Sequence, residues 1–93
     1  MSLNRYAARR DANEPALVRI AREIGAQMEQ HGPLDWWCGW RGQWFPVEIK
    51  TAKGKYTEEQ ILFRARCTQH GNPMRTWRDA TDIFASLGAR QTA

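Results

Sequence analysis

The sequence predicts a small α/β domain in which helices flank a short sheet. Apolar residues recur at helical spacing after Pro15, and the apolar stretch around Arg41-Gly42 contains the two-residue turn of a β-hairpin. Thr57-Glu58-Glu59-Gln60 is a capping-box pattern, which starts a further helix. The chain of 93 residues provides enough apolar side chains for one core, so a single domain is expected.

Composition indicates a folded, basic protein. Hydrophobic residues make up 42% of the chain and five residues are tryptophan, which argues against a disordered protein. The formal charge is +4, and eleven of the fourteen cationic residues are arginine, whose planar guanidinium suits phosphate. This balance favours a nucleic-acid partner.

Neither a membrane span nor an export signal is predicted. No apolar run reaches the roughly 18 residues of a membrane helix, and the charged amino terminus is unlike a signal peptide. Cys38 and Cys67 lack metal-ligand spacing. We therefore interpret both as buried thiols of a protein kept in a reducing, cytosolic compartment.

Three parts are expected along the chain. Residues 1–12 are polar and rich in arginine, and we predict a mobile basic arm in which Arg9 and Arg10 contact phosphates or a partner subunit. A frayed terminus is the alternative. Residues 13–88 form the domain, and residues 89–93 are expected to be disordered.

The first helix begins near Asn13, which suits the N-cap, and Pro15 occupies the first turn, where proline is tolerated. Its apolar stripe consists of Leu17, Ile20, Ala21 and Ile24. Gly25 ends or bends the helix. Glu14 lies at the edge of that stripe, where it either points along the sheet toward Asp35 or only favours the positive end of the helix.

The hairpin has one register that keeps its apolar residues together. With Arg41-Gly42 as the turn, counting outward pairs Asp35 with Glu48. The opposite face is then apolar throughout, with the pairs Leu34–Ile49, Trp36–Val47 and Cys38–Phe45. A slip of one residue would bury the charges, so the pattern selects this register. Lys50 points to the same face as Glu48, because side chains alternate along a strand.

Two opposed carboxylates destabilise a sheet by roughly 0.2–1 kcal/mol, so a positive group between Asp35 and Glu48 is expected. Mg²⁺ is the natural candidate, because it accepts carboxylate and phosphate oxygens. Lys50 could then orient a water or neutralise a transition-state phosphate. The alternative is a solvated Glu–Lys strand face with Asp35 as a turn residue.

Four features in the hairpin or next to it need separate interpretation. Residues 26–30 are a weak candidate for a first strand, and His31 is interpreted as a loop residue. Pro46 cannot donate to a strand ladder, so it requires an edge position or a bulge. Trp44 lies on the carboxylate face, where it could stack on an unpaired base or pack on protein.

The helix that follows Thr57 has two separate apolar stripes. One consists of Ile61, Leu62, Ala65 and Thr68, and the other of Gln60, Phe63 and Cys67. The helix is therefore expected to pack on the sheet and also on a second surface, either another subunit or the other helices. Residues 74–77 are interpreted as a final strand, and Asp79 caps a closing helix that ends at Gly88.

The hairpin carries a motif. Pro33-Leu34-Asp35, twelve further residues and Glu48-Ile49-Lys50 resemble the active site of the PD-(D/E)XK, or restriction-endonuclease-like, nucleases. Residues 10–14 are similar to the glutamate-bearing first helix of the VRR-NUC and archaeal Holliday-junction-resolvase branches. Gly39-x-Arg41-Gly42 and Thr57-x-x-Gln60-x-x-Phe63 also fit that branch. The resemblance covers residues 9–88 and implies an αβββαβ core with a small mixed sheet and a short C-terminal helix, as in compact phage proteins.

The resemblance implies a catalytic set that consists of Asp35, Glu48, Lys50, Glu14 and Gln60. The first two, with the main-chain carbonyl of Ile49, would bind the catalytic Mg²⁺ or Mn²⁺. Glu14 would complete that metal site directly or through water. Lys50 would position and polarise the attacking water, and Gln60 would support Lys50 or a phosphate.

Such a protein is expected to hydrolyse phosphodiester bonds of branched, flap or Holliday-junction DNA in a bacterial or phage-infected cell. Cutting both strands of a junction needs two active sites, so a homodimer is expected. Candidate phosphate contacts, which would supply salt-sensitive affinity without sequence reading, are Arg9, Arg10, Lys53, Lys55 and Arg64.

Two other classes of function stay open. A DNA-binding module with the same fold would hold DNA without cutting it. A small interaction protein would use its tryptophans only as a core, and its thermal stability would not respond to metal ions.

Overall fold

The computed structural model describes residues 12–31 and 35–88, and of Asp35 it describes only the backbone. The helices and strands of this part are α1 (Glu14–Ile24), β1 (Gln27–His31), β2 (Asp35–Trp40), β3 (Gln43–Ile49), α2 (Glu58–Gln69), β4 (Arg75–Trp77) and α3 (Ala80–Leu87). Their order is the predicted one, and the α/β class is confirmed. The predicted arm, apart from Ala12, and the predicted tail at 89–93 lie outside the described residues. No helix within 12–31 or 35–88 combines the length and apolar character needed to cross a bilayer.

The four strands form one mixed sheet in the order β1-β2-β3-β4. The first three strands are antiparallel neighbours, whereas β4 runs parallel to β3 because α2 carries the chain back across the sheet. The β2–β3 register pairs Trp36 with Val47, as the turn and the alternation predicted. His31 pairs with Asp35 at the end of β1, so its interpretation as a loop residue is wrong.

The hairpin turn is made by two residues with positive φ. Arg41 has a φ of 50° and Gly42 a φ of 81°. Both angles are those of a type I′ turn, whose twist matches the twist of the flanking strands. Arg41 also places its guanidinium 5.1 Å from the ring centroid of Trp40, a cation–π contact that favours the turn.

Alternation along the strands gives the sheet one apolar face and one mixed face. The apolar face carries Met28, Trp36, Cys38, Phe45, Val47 and Ile49, and α1 and α3 cover it with Leu17, Val18, Ala21, Ile83 and Leu87. By the same alternation Trp37, Trp44 and Glu48 belong to the opposite, mixed face. The core and the candidate catalytic carboxylate therefore lie on different sides of the sheet.

The start of α1 is hydrogen-bonded to the residues that directly follow β3 and β4. Asn13 lies at the N-cap position, as predicted, but its side chain makes no cap hydrogen bond. Its amide instead donates to the carbonyl oxygens of Lys50 and Arg78, each at 3.0 Å. The helix ends as predicted at Gly25, whose φ of 113° is open to glycine without strain.

Pro46 lies in β3 without a bulge, in unbroken register opposite Trp37. The amide of Lys50 donates to Trp77 in β4, so the nitrogen of Pro46, four residues earlier on the strand, also faces the β4 side. Pairing with β4 begins only at Val47. The strand is therefore locally an edge at Pro46, which is one of the two predicted alternatives.

The mixed face of the sheet carries α2 over its β3 end. Gln60 is the buried residue of this helix, and Phe63 and Cys67 on the same stripe are half-buried. The other predicted stripe is open to solvent, with Ile61 55% and Leu62 54% exposed. The stripe that contains Gln60 faces the sheet, as predicted, whereas packing of the other stripe on a second surface stays a prediction.

Neither cysteine forms a disulfide, as expected. Cys38 lies in the core, where burial raises its pKa to about 11 although nearby Arg75 opposes the shift. Cys67 is half-buried rather than buried, because it lies on a helix that touches the sheet along one stripe.

Candidate active site

The Glu48 carboxylate is buried, with only 2% of the residue exposed. It projects from β3 away from the core, between Val47 and Ile49, whose side chains enter the core. Gln60 of α2 donates a hydrogen bond from Nε2 to Glu48 Oε2 at 2.8 Å. This contact joins the sheet to α2 at the position where the sequence predicted catalytic residues.

The capping box at the start of α2 orients the Gln60 side chain. The Gln60 side-chain oxygen, Oε1, accepts a hydrogen bond from the backbone amide of Thr57 at 2.9 Å. The backbone amide of Gln60 donates to Thr57 Oγ1 at 3.2 Å. Because the side-chain oxygen is held by the cap, the NH₂ group is left to face Glu48. A local helix-start signal therefore sets the direction of a long-range hydrogen bond.

Lys50 follows β3 and its backbone continues the ladder by donating to the carbonyl of Trp77. Only 9% of the residue is exposed, and its Nζ lies 5.9 Å from the ring centroid of Tyr56. The guanidinium of Arg64 lies 5.2 Å from the same centroid. Two cations thus lie over one aromatic ring that also interacts with the Glu48 carboxylate.

Tyr56 is a member of this cluster that sequence reasoning missed. Burial raises the pKa of its phenol, Arg64 opposes that shift, and the charge of Glu48 adds to it. The group is therefore protonated at neutral pH and can donate a hydrogen bond. Its oxygen is buried and has no hydrogen-bond partner among the described residues. The available signal was an aromatic residue directly before a capping threonine and close to Glu48-Ile49-Lys50.

Asp35 is the first residue of β2, and its side chain lies outside what the structure describes. One step beyond the Trp36–Val47 pair, the antiparallel register aligns the Cα positions of Asp35 and Glu48. Because the Lys50 amide faces β4, the carbonyl of the preceding residue, Ile49, faces the β2 side. The backbone thus has the predicted arrangement, and the convergence of the carboxylates stays a prediction.

Glu14 is bound to a residue of the apolar face. Its Oε1 accepts a hydrogen bond of 2.9 Å from the indole Nε1 of Trp36. The neighbouring Asn13 links the start of α1 to Lys50, so Glu14 lies near the end of β3. The part of Glu14 in a metal site stays a prediction.

The predicted phosphate contacts fall into two groups. Arg9 and Arg10 lie outside the described residues, whereas Lys53, Lys55 and Arg64 are exposed. Lys53 and Lys55 belong to residues 50–57, the chain between β3 and α2. These exposed cations border the Lys50–Tyr56 cluster.

Arg78 holds this basic loop and was also missed from sequence. Its Nη1 donates to the carbonyl oxygens of Thr51, at 2.6 Å, and Gly54, at 2.8 Å. The turn is tight, since a Cβ on Gly54 would lie 3.2 Å from Thr51 atoms. No local pattern indicates such a contact, because 24 residues separate Arg78 from Gly54.

A divalent-metal site is compatible with the donor types present. Within the described residues, no group of three or more His, Cys, Asp or Glu side chains could hold a metal ion. That set does not include the side chain of Asp35. Carboxylates and a main-chain carbonyl are the hard oxygen ligands that Mg²⁺ and Mn²⁺ accept.

Comparisons of the chain with protein-family models, curated proteins and solved structures found no match.

Proposed function

We propose that the protein is a metal-dependent endonuclease with a restriction-endonuclease-like fold that hydrolyses phosphodiester bonds in branched or flap DNA. The observation that carries the proposal is the buried Glu48 carboxylate, oriented by Gln60 and followed two residues later by Lys50. Buried acidic and basic groups that converge beside a basic surface are typical of active sites. The resemblance of the Asp35…Glu48-x-Lys50 motif to nuclease active sites supplies the reaction class.

In the proposed site Asp35, Glu48 and the carbonyl of Ile49 would hold Mg²⁺ or Mn²⁺, and Glu14 would assist them. A bound divalent ion would lower the pKa of a water molecule that it coordinates and would neutralise charge that develops on the phosphate. Gln60 keeps the Glu48 carboxylate in one orientation, because its own amide is fixed by the Thr57 cap. The protein thus prepares the carboxylate before substrate arrives.

The remaining side chains act on the phosphate and the attacking water. Lys50 orients the water through its ammonium group and stabilises negative charge in the transition state. On substrate binding, a shift of the Tyr56 side chain would bring its phenolic hydrogen to a phosphate oxygen, which satisfies a hydroxyl that is otherwise buried without a partner. Arg64, which is exposed over the same ring, attracts the adjacent phosphate.

Lys53 and Lys55 provide the entry surface for DNA. Arg78 orders their loop through three backbone carbonyls, so the cations are presented without a large ordering cost on binding. Contacts of this kind bind any sequence and weaken with salt. These contacts therefore supply affinity without sequence specificity. The proposed place of action is the cytoplasm of a bacterial or phage-infected cell.

A homodimer completes the proposal, because two cuts in a junction need two sites. The exposed side of α2 is the surface we assign to the second copy, since Ile61 and Leu62 are both more than half exposed there. Analytical ultracentrifugation should give a dimer for the wild type and a monomer for Leu62→Glu. A wild-type monomer on junction DNA would remove the dimer but leave the nuclease proposal in place.

Cleavage of junction, flap, single-strand and duplex DNA with Mn²⁺ tests the function. We expect cleavage of branched substrates by the wild type and loss of cleavage in Glu48→Gln and Lys50→Ala. Glu59→Gln removes one carboxylate from an exposed position of the same region and is the matched control. It should retain wild-type cleavage.

The outcomes separate the classes of function. Binding without cleavage would assign a DNA-binding module. Cleavage by Glu48→Gln or Lys50→Ala at the wild-type rate would refute the proposed site. Absence of both DNA binding and any rise in melting temperature with Mg²⁺ or Mn²⁺ would favour an interaction protein.

A further inference from the structure

An open groove of about 480 Å³ lies on the mixed face of the sheet. Its described lining consists of Glu29, His31, Trp37 and Trp44. Two of these residues are tryptophans, and neither belongs to the core. The groove is therefore an aromatic surface outside the cluster around Glu48.

Trp44 forms one wall of this groove in a defined position. A Cβ on Gly39 would lie 3.0–3.1 Å from three atoms of the Trp44 indole, so the ring rests against a strand position that lacks a side chain. The residue is nevertheless 46% exposed. The carbonyl of Trp44 accepts a hydrogen bond from Asn72 Nδ2 at 3.2 Å, which holds the backbone beneath the ring. One side of the indole is thus supported by protein and the residue remains open to a ligand.

The groove lies on the same face of the sheet as the candidate active site. Trp44, Pro46 and Glu48 alternate along β3 on the same face, and Trp37 pairs with Pro46 between them. Four strand residues span roughly 14 Å, so a few nucleotides of a single strand could reach from one site to the other. His31, which lines the groove, pairs on the sheet with Asp35, a residue of the candidate active site.

The charges of the groove select a base rather than a phosphate. Glu29 contributes a carboxylate, 3.6 Å from the imidazole of His31, and the two residues are 57% and 66% exposed. A carboxylate repels phosphate but accepts hydrogen bonds from the exocyclic amino group of cytosine. Tryptophan rings stack on the faces of all bases.

We propose that this groove binds one unpaired nucleobase of the DNA strand that enters the candidate active site. The base stacks on Trp44 over the floor formed by Trp37, and Glu29 lies at its edge. This inference rests on the proposed function and deepens it, because it assigns an unpaired nucleotide near the cut as a feature of the substrate.

The test is an abasic scan of a labelled flap oligonucleotide, with affinity measured by fluorescence anisotropy. Binding is measured in the Glu48→Gln background, so that cleavage does not interfere. We expect one abasic position to weaken binding by about 5- to 100-fold, the range that a stacked base provides. In Trp44→Ala the intact DNA should bind correspondingly more weakly, and the same abasic position should then have no effect.

Two further variants keep the test decisive if Trp44→Ala does not fold. Trp44→Phe retains a smaller ring and should keep part of the abasic effect. Gly39→Ala places a Cβ against the indole and should displace it, which lowers the abasic effect without removing the tryptophan. Thr81→Ala truncates an exposed residue of α3, which lies on the opposite side of the sheet, and should leave the abasic effect unchanged.

The inference and the proposed function fail in different ways. The base site is overturned if the abasic penalty is the same with Trp44 and with Trp44→Ala. It is also overturned if no abasic position weakens binding, whatever the cleavage result. If the wild type does not cleave DNA but shows an abasic penalty that depends on Trp44, the nuclease proposal is overturned and the base site is retained. Equal binding of abasic and intact strands would indicate that the protein binds only phosphates.

Discussion

The substitution Gln60→Glu tests the central contact of the site without reference to any activity. The introduced carboxylate can still accept a hydrogen bond from the Thr57 amide, so the helix cap is retained. The NH₂ group that donates to Glu48 is lost, and a second negative charge takes its place at about the same distance. The change therefore separates the long-range contact from the local cap.

The expected effect is large because both residues are buried. Gln60 is 6% and Glu48 is 2% exposed, so water screens the two charges poorly. Loss of a hydrogen bond to a charged group costs about 1.5–3 kcal/mol, and like-charge repulsion adds to this. We expect the free energy of unfolding at pH 7 to fall by about 3 kcal/mol, which lowers the melting temperature by roughly 10–20 °C.

The loss should depend on pH in one direction. Repulsion from Glu48 raises the pKa of the introduced carboxyl above its unfolded-state value, so the folded variant binds more protons than the unfolded chain. Its stability then falls as pH rises above about 4, the unfolded-state pKa of glutamate. Relative to the wild type, the variant should recover stability as pH is lowered from 7 toward 4.

Urea unfolding followed by tryptophan fluorescence at several pH values measures this effect. Gln69→Glu makes the same chemical change at an exposed position near the end of α2. It should cost less than about 1 kcal/mol, through the helix dipole alone. A Gln60→Glu protein as stable as the Gln69→Glu control at pH 7 would refute the Glu48–Gln60 contact and the site built on it.

Three further predictions follow from other contacts. Tyr56→Phe should slow single-turnover cleavage about tenfold or more, because a donor to the phosphate is lost. The melting temperature should not fall, because the hydroxyl has no protein partner among the described residues. An unchanged rate would exclude Tyr56 from the reaction. At pH 8, burial and the raised pKa should protect Cys38 from a thiol reagent. The reagent should therefore modify only Cys67 in the native protein and both thiols in denaturant. Rapid reaction of two thiols in the native protein would contradict the core position of Cys38. Asn13→Ala should lower the free energy of unfolding by about 1–2 kcal/mol in a urea titration, because two hydrogen bonds to backbone carbonyls are lost; no loss would show that these bonds do not anchor α1.

The β-hairpin shows how far local patterns reach. Alternation of apolar residues and the Arg41-Gly42 turn predicted the β2–β3 register, and the structure has that register. The capping box predicted the start of α2, and the stripe that contains Gln60 predicted the side of that helix that faces the sheet. These signals succeed because strand and helix periods, turns and caps depend on residues close together in the chain.

The candidate site was predicted only in part. Glu48, Lys50 and Gln60 were identified through their spacing and the family resemblance, and the structure joins Glu48 to Gln60. Asn13 was assigned to the helix cap because asparagine usually serves there, but tertiary packing brought it within reach of two distant carbonyls. A local preference was thus overridden by a long-range contact.

By itself, the sequence determined the order of the elements, the hairpin register and which residues turn toward the core. The tertiary structure alone decided that Gln60 faces Glu48, that Lys50 and Arg64 both contact the Tyr56 ring, and that Arg78 holds the basic loop. Periodicity sets the face on which a residue lies, because it follows from backbone geometry. Which side chains meet depends on how separate elements pack, and no local pattern contains that information.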